Sequence, residues 1–222
     1  MKNIILIAPP AAGKGTQSSL LKEKYGLIHI STGDLLRNVM GSNSTFGKQI
    51  TEIVNSGKLV SDEIVIHLLK KKLQELNRSD YYVLDGFPRN LDQAIAYDKI
   101  IREIDFPDSI VIFLDLDKNI AINRVLGRVI CPKCNAVYNE YFEDSKPKKL
   151  GICDNCNTSL QKRSDDDIDT LNKRYDTYYN EIKPLLEYYE KSNRLFKING
   201  NLKEEDVFKQ IEKVLEVSND NH

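Results

Sequence analysis

The sequence predicts an α/β fold in which a parallel β-sheet is covered by helices on both faces. Short apolar runs rich in β-branched residues alternate along the chain with longer amphipathic stretches. That alternation is typical of parallel strands joined by helical crossovers. The 222 residues are enough for one sizeable core with a small lobe appended to it. Because ligands of such sheets bind beyond the carboxyl ends of the strands, we expect functional residues there.

Five apolar runs are predicted to be strands. The three long ones are "KNIILIA", "YYVLD" and "SIVIFLDL", at residues 2–8, 81–85 and 109–116. Two shorter candidates lie at residues 27–30 and 194–198. Amphipathic stretches between these runs are predicted to be helices, at residues 15–24, 61–76, 91–103, 119–128, 166–191 and 203–217.

Two segments interrupt the alternation of strands and helices. Residues 31–60 are a predicted helical insertion between two strands, and residues 128–165 are polar and rich in Gly, Pro, Asn and Cys. The second segment is too long for an ordinary loop. We therefore predict that both segments are small lobes inserted into a central domain.

The charge balance argues against two classes of partner. Lys and Arg total 32 and Asp and Glu total 33, which gives a formal net charge of −1. That balance lacks the basic bias expected of proteins that bind nucleic acid or anionic membranes. The apolar runs are shorter than the roughly 18 residues that span a bilayer, and the N-terminus lacks a signal-peptide cleavage pattern. The sequence thus predicts a cytoplasmic protein, monomeric by default, that binds neither nucleic acid nor membrane.

The stretch "APPAAGKGT", residues 8–16, follows the first predicted strand and opens the first predicted helix. A strand, a Gly-Lys loop and a helix in this order are typical of phosphate binding. Backbone N–H groups and the helix N-terminus attract phosphate oxygens, Lys14 adds a full charge, and Thr16 offers a hydroxyl to phosphate or to a magnesium-bound water. The strict Walker pattern fails twice, because Ala8 replaces its first glycine and Gly15 directly follows Lys14. The alternative is an ordinary strand-to-helix turn.

The second long strand ends in "DGFPR", residues 85–89. Asp85 is therefore expected at the carboxyl edge near Lys14, where a magnesium ion would need an anionic neighbour. Arg89 follows a turn fixed by proline and can bind a phosphate through two nitrogens. The alternative is a strand that simply ends in an Asp-Gly turn.

Three further motifs carry arginines, and each has two interpretations. "STGDLLR" ends in Arg37, but its hydroxyls also suit a helix N-cap. "RVLGR" places Arg124 and Arg128 at i and i+4 on one predicted helix face, where a polyphosphate would relieve their mutual repulsion. In "RSDDDIDTLNKR", residues 163–174, the carboxylates either form ion pairs with arginines of another lobe or cap a helix.

All four cysteines fall in one pattern, Cys131-x-x-Cys134 followed by Cys153-x-x-Cys156. The segment between the two pairs lies within the range of zinc ribbons. Two such knuckles supply tetrahedral thiolate geometry, and a site closed by four thiolates is structural. The alternative, disulfide bonds, is disfavoured in a cytosolic chain. The sequence therefore predicts a structural zinc ion that holds the small lobe together.

Taken in order, these motifs resemble those of adenylate kinases. The resemblance is to the bacterial type with a long, zinc-containing lid, and it extends over residues 2–217. It is carried by the stretches "GKGTQ", "ISTGDLLR", "SGKLV", "LDGFPRN", "RVLGR" with its Cys-x-x-Cys segment, and the acidic run followed by "KR". The resemblance implies a P-loop NTPase-type five-stranded parallel sheet flanked by helices. It also implies catalysis of ATP + AMP ⇌ 2 ADP. The chain would have three parts: a CORE domain at residues 1–30, 61–127 and 166–222, an AMP-binding lobe at residues 31–60, and a zinc-binding lid at residues 128–165.

The resemblance also assigns residues to the two nucleotides. ATP would be held by Ala11, Ala12, Gly13, Lys14, Gly15, Thr16, Arg124, Arg128, Val137, Tyr138 and Leu202. AMP would be held by Thr32, Arg37, Lys58, Leu59, Val60, Gly86, Phe87, Pro88, Arg89, Gln93, Arg163 and Arg174.

Within that set, the amide of Gln93 would read the adenine of AMP, and the backbone of Leu202 would contact the adenine of ATP. The residues implied in catalysis are Lys14, Arg89, Arg124, Arg128, Arg163 and Arg174. Asp85 would hold magnesium, through water. The reaction would be an in-line attack aided by fixed positive charge, with water excluded by closure of the lid.

The chain departs from the family pattern in its phosphate loop. Alanine stands at positions 8 and 11, where the family usually has glycine. Ala8 ends a strand, so ordinary β dihedrals suffice for it. Ala11 lies inside the cradle, where its methyl is expected to crowd a phosphate or to force a left-handed backbone at a cost of roughly 1–2 kcal/mol.

Three rival functions stay open at this point. One is a kinase for another nucleoside monophosphate, against which Gln93 and the zinc lid argue. Another is a zinc-ribbon nucleic-acid binder with a vestigial ATP loop, against which the near-neutral charge and the acidic run at residues 165–167 argue. The third is a catalytically weak nucleotide sensor, suggested only by the two alanines.

Overall fold

The structure, a computed structural model, describes residues 1–42, 44–55, 60–162 and 168–220. Within that part of the chain the strands are β1 (Asn3–Ile7), β2 (Ile28–Ser31), β3 (Tyr82–Asp85), β4 (Ser109–Asp115), β5 (Arg128–Ile130), β6 (Val137–Asn139) and β7 (Leu195–Asn199). The parallel sheet has the order β2-β3-β1-β4-β7, and β5 pairs with β6 in a separate antiparallel ribbon. The five predicted strands are confirmed, with their ends shifted by about one residue.

The helices are α1 (Lys14–Tyr25), α2 (Thr32–Met40), α3 (Thr45–Asn55), α4 (Asp62–Gln74), α5 (Leu91–Glu103), α6 (Lys118–Leu126), α7 (Ile168–Lys191) and α8 (Glu204–Asp220). Six of them match the predicted amphipathic stretches, while α2 and α3 form the predicted helical insertion. In the described ranges, no helix combines the length and the apolar character needed to cross a membrane.

The central strand explains why the sheet is covered on both faces. Every residue of β1 is buried, and successive side chains of a strand point to opposite faces. Ile4 and Leu6 accordingly pack into one core cluster with Leu21 of α1. Ile5 and Ile7 pack into a second cluster, which includes side chains of α4, α5 and α7. A continuous apolar run is thus buried between two layers of helices, as expected for a parallel sheet.

The sheet order brings the loops after β1 and β3 together at one edge. These two strands are direct neighbours, with Leu6 of β1 in register with Asp85 at the end of β3. On the other side of β3, Ser31 at the end of β2 is also in register with Asp85. Asp85 therefore lies between the phosphate loop and the start of α2.

The prediction that Arg124 and Arg128 share one helix face was wrong. Helix α6 ends at Leu126, with Gly127 as its C-cap, and Arg128 is the first residue of β5. A Cβ at Gly127 would lie only 2.2 Å from Oδ1 of Asn139, so only glycine lets the ribbon pack this closely. Tertiary packing ends the helix before Arg128, which the helical periodicity of the sequence did not reveal.

Candidate active site

The loop between β1 and α1 has the conformation of a phosphate cradle. Gly13 adopts a left-handed φ of 78° as the N-cap of α1, and Ala11 also has a positive φ, of 65°. In the described structure no side chain caps this helix, and its first turn carries no acidic residue. The N–H groups at the start of α1 are therefore left for an anion, which the positive end of the helix dipole favours.

Lys14 and Asp85 form the centre of the site. The Nζ of Lys14 lies 3.4 Å from Oδ1 of Asp85, whose side chain is only 14% exposed. Burial lowers the pKa of Lys14 below its ordinary value; Asp85 opposes this shift, and the positive charge of Arg89 adds to it. The site thus places a largely desolvated ammonium close to a second cation, and a phosphate anion would stabilise both charges.

His29 is a neighbour of the site that the sequence analysis missed. Its Nε2 lies 3.2 Å from Oδ2 of Asp85, whereas Lys14 contacts the other oxygen, Oδ1. Burial alone would raise the pKa of Asp85, but the hydrogen bond from His29 and the charge of Lys14 outweigh it and hold the pKa below its ordinary value. The pairing of β2 with β3 creates this contact, so the order of strands in the sheet would have been needed to foresee it.

The turn after β3 positions Arg89. Gly86 has a φ of 81°, and its carbonyl oxygen accepts hydrogen bonds from Nε of Arg89 at 2.9 Å and from Oγ1 of Thr32 at 3.2 Å. The hydroxyl of Thr32, the first residue of α2, therefore lies beside the Arg89 side chain. Phe87 is buried and Pro88 follows it through a cis peptide bond. These residues bring the predicted AMP motif of residues 86–89 next to the start of α2.

Gln93 lies close to that motif, but its amide already has protein partners. Its Oε1 accepts a hydrogen bond from the backbone N–H of Arg89 at 2.8 Å, and its Nε2 donates to Oδ1 of Asp62 at 2.6 Å. Asn90 donates to the other oxygen of Asp62 at 2.8 Å and caps α5. One N–H and one lone pair of the Gln93 amide remain for a ligand. That this amide reads adenine therefore stays a prediction.

Arg37 lies on the exposed surface of α2. Its Nη2 forms an ion pair with Oδ1 of Asp34 at 2.6 Å, three residues earlier on the same helix. Both side chains are more than half exposed, so the pair contributes little stability. A phosphate can therefore displace Asp34 from the guanidinium without a large loss.

Arg124 joins the phosphate loop to the loop after β7. Its Nη2 donates to the carbonyl oxygens of Gly200 at 3.0 Å and Leu202 at 3.3 Å, and its Nη1 donates to that of Ala11 at 3.4 Å. Burial lowers the pKa of this guanidinium below its ordinary value. Three residues predicted to hold ATP, separated widely in the sequence, are thus brought together.

The four cysteines converge within residues 128–165, the segment predicted to be a lid. Their sulfur atoms all lie within 4.8 Å of one another, with Cys131 to Cys156 at 3.3 Å and Cys134 to Cys153 at 3.5 Å. A disulfide requires about 2.0 Å, so these thiols are not bonded to each other. A tetrahedral zinc site with Zn–S distances of about 2.3 Å separates its sulfurs by about 3.8 Å. The cluster therefore fits a zinc ion after small adjustments.

Hydroxyl groups lie beside two of the thiols. The hydroxyl of Tyr138 is 3.5 Å from Sγ of Cys153, and this hydrogen bond is the largest of several contributions that lower the pKa of that thiol to about 6. The hydroxyl of Thr158 is 3.3 Å from Sγ of Cys156 and lowers the pKa of that thiol below its ordinary value. Since zinc binds thiolates, hydroxyls in these positions favour the metal-binding form of the cluster.

Several predicted site residues are not described or are described only in part. Lys58, Leu59 and Arg163 lie outside the described residues, and so does the side chain of Arg174 in α7. Among the lid residues, Val137 is 57% exposed on β6. The roles assigned to these residues stay predictions.

Comparison with known proteins identifies the family. The family model described as Adenylate kinase matches residues 6–194. An adenylate kinase from Syntrophomonas wolfei is 39% identical over 214 residues, which cover 96% of this chain and 99% of that protein. Adenylate kinases from Archaeoglobus fulgidus and Nitrosococcus oceani are each 38% identical, over 96% of this chain and 98% of their own lengths. The chain therefore belongs to the adenylate kinase family, and it is an enzyme of that family.

Proposed function

We propose that the protein transfers a phosphoryl group reversibly from MgATP to AMP and so forms two molecules of ADP. The observation that carries this proposal is the group of Lys14, Asp85 and Arg89 at the carboxyl edge of the sheet, beside the uncapped N-terminus of α1. Two cations, one carboxylate and a row of backbone N–H groups are the parts that phosphoryl transfer between nucleotides requires. Membership of the adenylate kinase family supports the choice of substrates.

Each charged side chain has a distinct task in this proposal. Lys14 binds phosphate oxygens of ATP, and Arg89 binds the phosphate of AMP and aligns it for in-line attack. Because both cations are held in place before the substrates bind, little reorganisation is needed as charge shifts toward the leaving oxygen. The chemistry needs no covalent nucleophile, so positioning accounts for most of the rate.

Asp85 fits a magnesium ion, held directly or through water. Its carboxylate is kept ionised by His29 and Lys14, and oxygen ligands are those that magnesium prefers. When bound, the ion would neutralise negative charge on the phosphates of ATP. Release of the Lys14 ion pair to ATP would leave Oδ1 of Asp85 open for this role.

The two nucleotides are proposed to approach from different sides. On the ATP side lie the phosphate loop, Arg124 and the carbonyl of Leu202. On the AMP side lie Thr32 and the turn at Gly86. Closure of the lid would bring Arg128 to ATP and exclude water, and Arg163 and Arg174 would clamp the transferred group. Zinc, bound by the four cysteines, would stabilise the lid and take no part in the reaction.

A coupled assay of ADP formation tests this function. ATP and magnesium are held constant while AMP is replaced in turn by UMP, CMP and GMP. We expect turnover with AMP and little with the other three, whereas a preference for another acceptor would identify a different nucleoside monophosphate kinase. Turnover absent with every acceptor, together with retained ATP binding, would favour the nucleotide sensor. Salt-dependent retention of nucleic acid in a filter-binding assay would favour the zinc-ribbon binder.

A further inference from the structure

Tyr138 extends its side chain from the β5–β6 ribbon to the second pair of cysteines. The residue lies on β6, opposite Val129 of β5. Its hydroxyl accepts a hydrogen bond from the backbone N–H of Asp154 at 2.9 Å and lies 3.5 Å from Sγ of Cys153. The hydroxyl group of Tyr138 therefore contacts the cysteine cluster.

The thiolate form of Cys153, which a metal would bind, has no hydrogen, so in that form Tyr138 is the donor of the contact with sulfur. A tyrosine hydroxyl has one hydrogen to donate. Because the oxygen already accepts from Asp154, its hydrogen is free to point to Cys153. A zinc-bound thiolate is an acceptor, so the contact is retained and strengthened when a metal occupies the cluster.

The two pairs of cysteines sit on different segments, which gives Tyr138 a structural task. Cys131 and Cys134 lie in the turn between β5 and β6, whereas Cys153 and Cys156 belong to a separate loop. Without metal, Tyr138 is a side-chain link between the ribbon and that loop, since it contacts both Cys153 and the next backbone N–H. The Sγ of Cys153, at the end of this link, lies 3.5 Å from Sγ of Cys134 in the first pair.

We propose that Tyr138 is a positioning residue for the zinc site and that its hydroxyl donates a hydrogen bond to the Cys153 thiolate. The proposal rests on the zinc site of the proposed function. Hydrogen-bond partners of metal ligands typically contribute 10–100-fold in metal affinity. We therefore expect Tyr138→Phe, which removes only the hydroxyl, to weaken zinc binding by about 10–100-fold.

The test uses the full-length protein and a matched control. Zinc affinity is measured by competition with a chromogenic chelator for wild type, Tyr138→Phe and Tyr141→Phe. Tyr141 is a tyrosine of the same lid with a 55% exposed side chain, so its variant should bind zinc like wild type. Weaker zinc binding by Tyr138→Phe alone supports the proposal. Equal zinc affinity of all three proteins overturns it.

A second measurement separates a bond to sulfur from general support of the lid. Cobalt replaces zinc in the wild type and in Tyr138→Phe, and the thiolate-to-cobalt absorption band is recorded. Loss of a hydrogen bond to one thiolate should shift this band, whereas a role in packing alone leaves it in place and contradicts the proposal. Protein that binds neither metal would refute the zinc site itself, and absence of ADP formation with normal zinc binding would refute only the proposed reaction.

Discussion

Ala11 is the position at which one substitution tests the phosphate loop most sharply. Its φ of 65° lies in the left-handed region, which costs an L-residue roughly 1–2 kcal/mol and glycine almost nothing. Its methyl group is half-buried against the core cluster that contains Leu6, so removing it forfeits part of the ~0.8 kcal/mol of a buried methylene. Ala11→Gly should therefore stabilise this loop conformation by a net free energy of about 0.5–1.5 kcal/mol, which corresponds to an increase of about two- to tenfold in kcat/KM for ATP.

We expect the gain in the ATP dependence because a bound phosphate would hold the loop in the positive-φ conformation of Ala11, whereas a free loop would be able to relax toward negative φ. Steady-state kinetics with ATP varied at fixed AMP measure the effect, and the AMP dependence and zinc content should not change. Ala12→Gly is the matched control: Ala12 is buried and its φ is not positive. That variant loses a methyl without relieving strain, so it should only lower stability.

An unchanged or weaker ATP dependence of Ala11→Gly would contradict this prediction. Alanine would then occupy the loop without strain, and glycine would merely increase the entropy of the unfolded chain. If the parent enzyme is also fast, the hypothesis of a weak nucleotide sensor loses its only support.

Three further predictions concern the charges and the metal. Arg89→Lys keeps the charge but loses the planar guanidinium that binds a phosphate through two nitrogens, so kcat/KM should fall by about 10²–10³-fold. Near-wild-type kinetics would show that Arg89 does not bind the substrate. Metal analysis of freshly purified, reduced protein should find zinc, and removal of the zinc by a chelator should lower the melting temperature. Loss of activity at low temperature while the fold stays intact would instead indicate a catalytic metal. Because the pKa of Asp85 is lower in the folded protein than its ordinary value, the ionised carboxylate stabilises the fold. This stabilisation is complete above a pH equal to the ordinary pKa of about 3.9, and it is lost as the pH falls through the folded-state pKa. Denaturant unfolding of Asp85→Asn should therefore be less acid-sensitive than that of wild type, and equal sensitivity would contradict this.

Most of the fold could be predicted because its signals are local. The apolar run of β1 and the Gly-Lys loop after it carry their patterns within about a dozen residues. The spacing of the four cysteines likewise predicts the cluster in the lid, whose sulfurs lie within 4.8 Å of one another. The resemblance of ordered motifs to one family is confirmed by the family match, whereas the division into three parts stays a prediction.

Features set by tertiary contacts could not be predicted in the same way. The end of α6 depends on how closely Asn139 packs against Gly127, which only the folded ribbon determines. The bond between His29 and Asp85 depends on which strands are neighbours. The direction of the Tyr138 side chain depends on which face of β6 meets the second cysteine loop. In each case residues far apart in the sequence decide the outcome.

The most direct test of the central claim is a stoichiometric analysis of nucleotides by ³¹P NMR or chromatography. MgATP and AMP are mixed with the enzyme, and a second reaction starts from MgADP alone. We predict that two molecules of ADP appear for each ATP and AMP consumed, and that ADP alone yields ATP and AMP in equal amounts. Release of inorganic phosphate with AMP unconsumed, or no formation of ATP from ADP, would contradict phosphoryl transfer between nucleotides at this site.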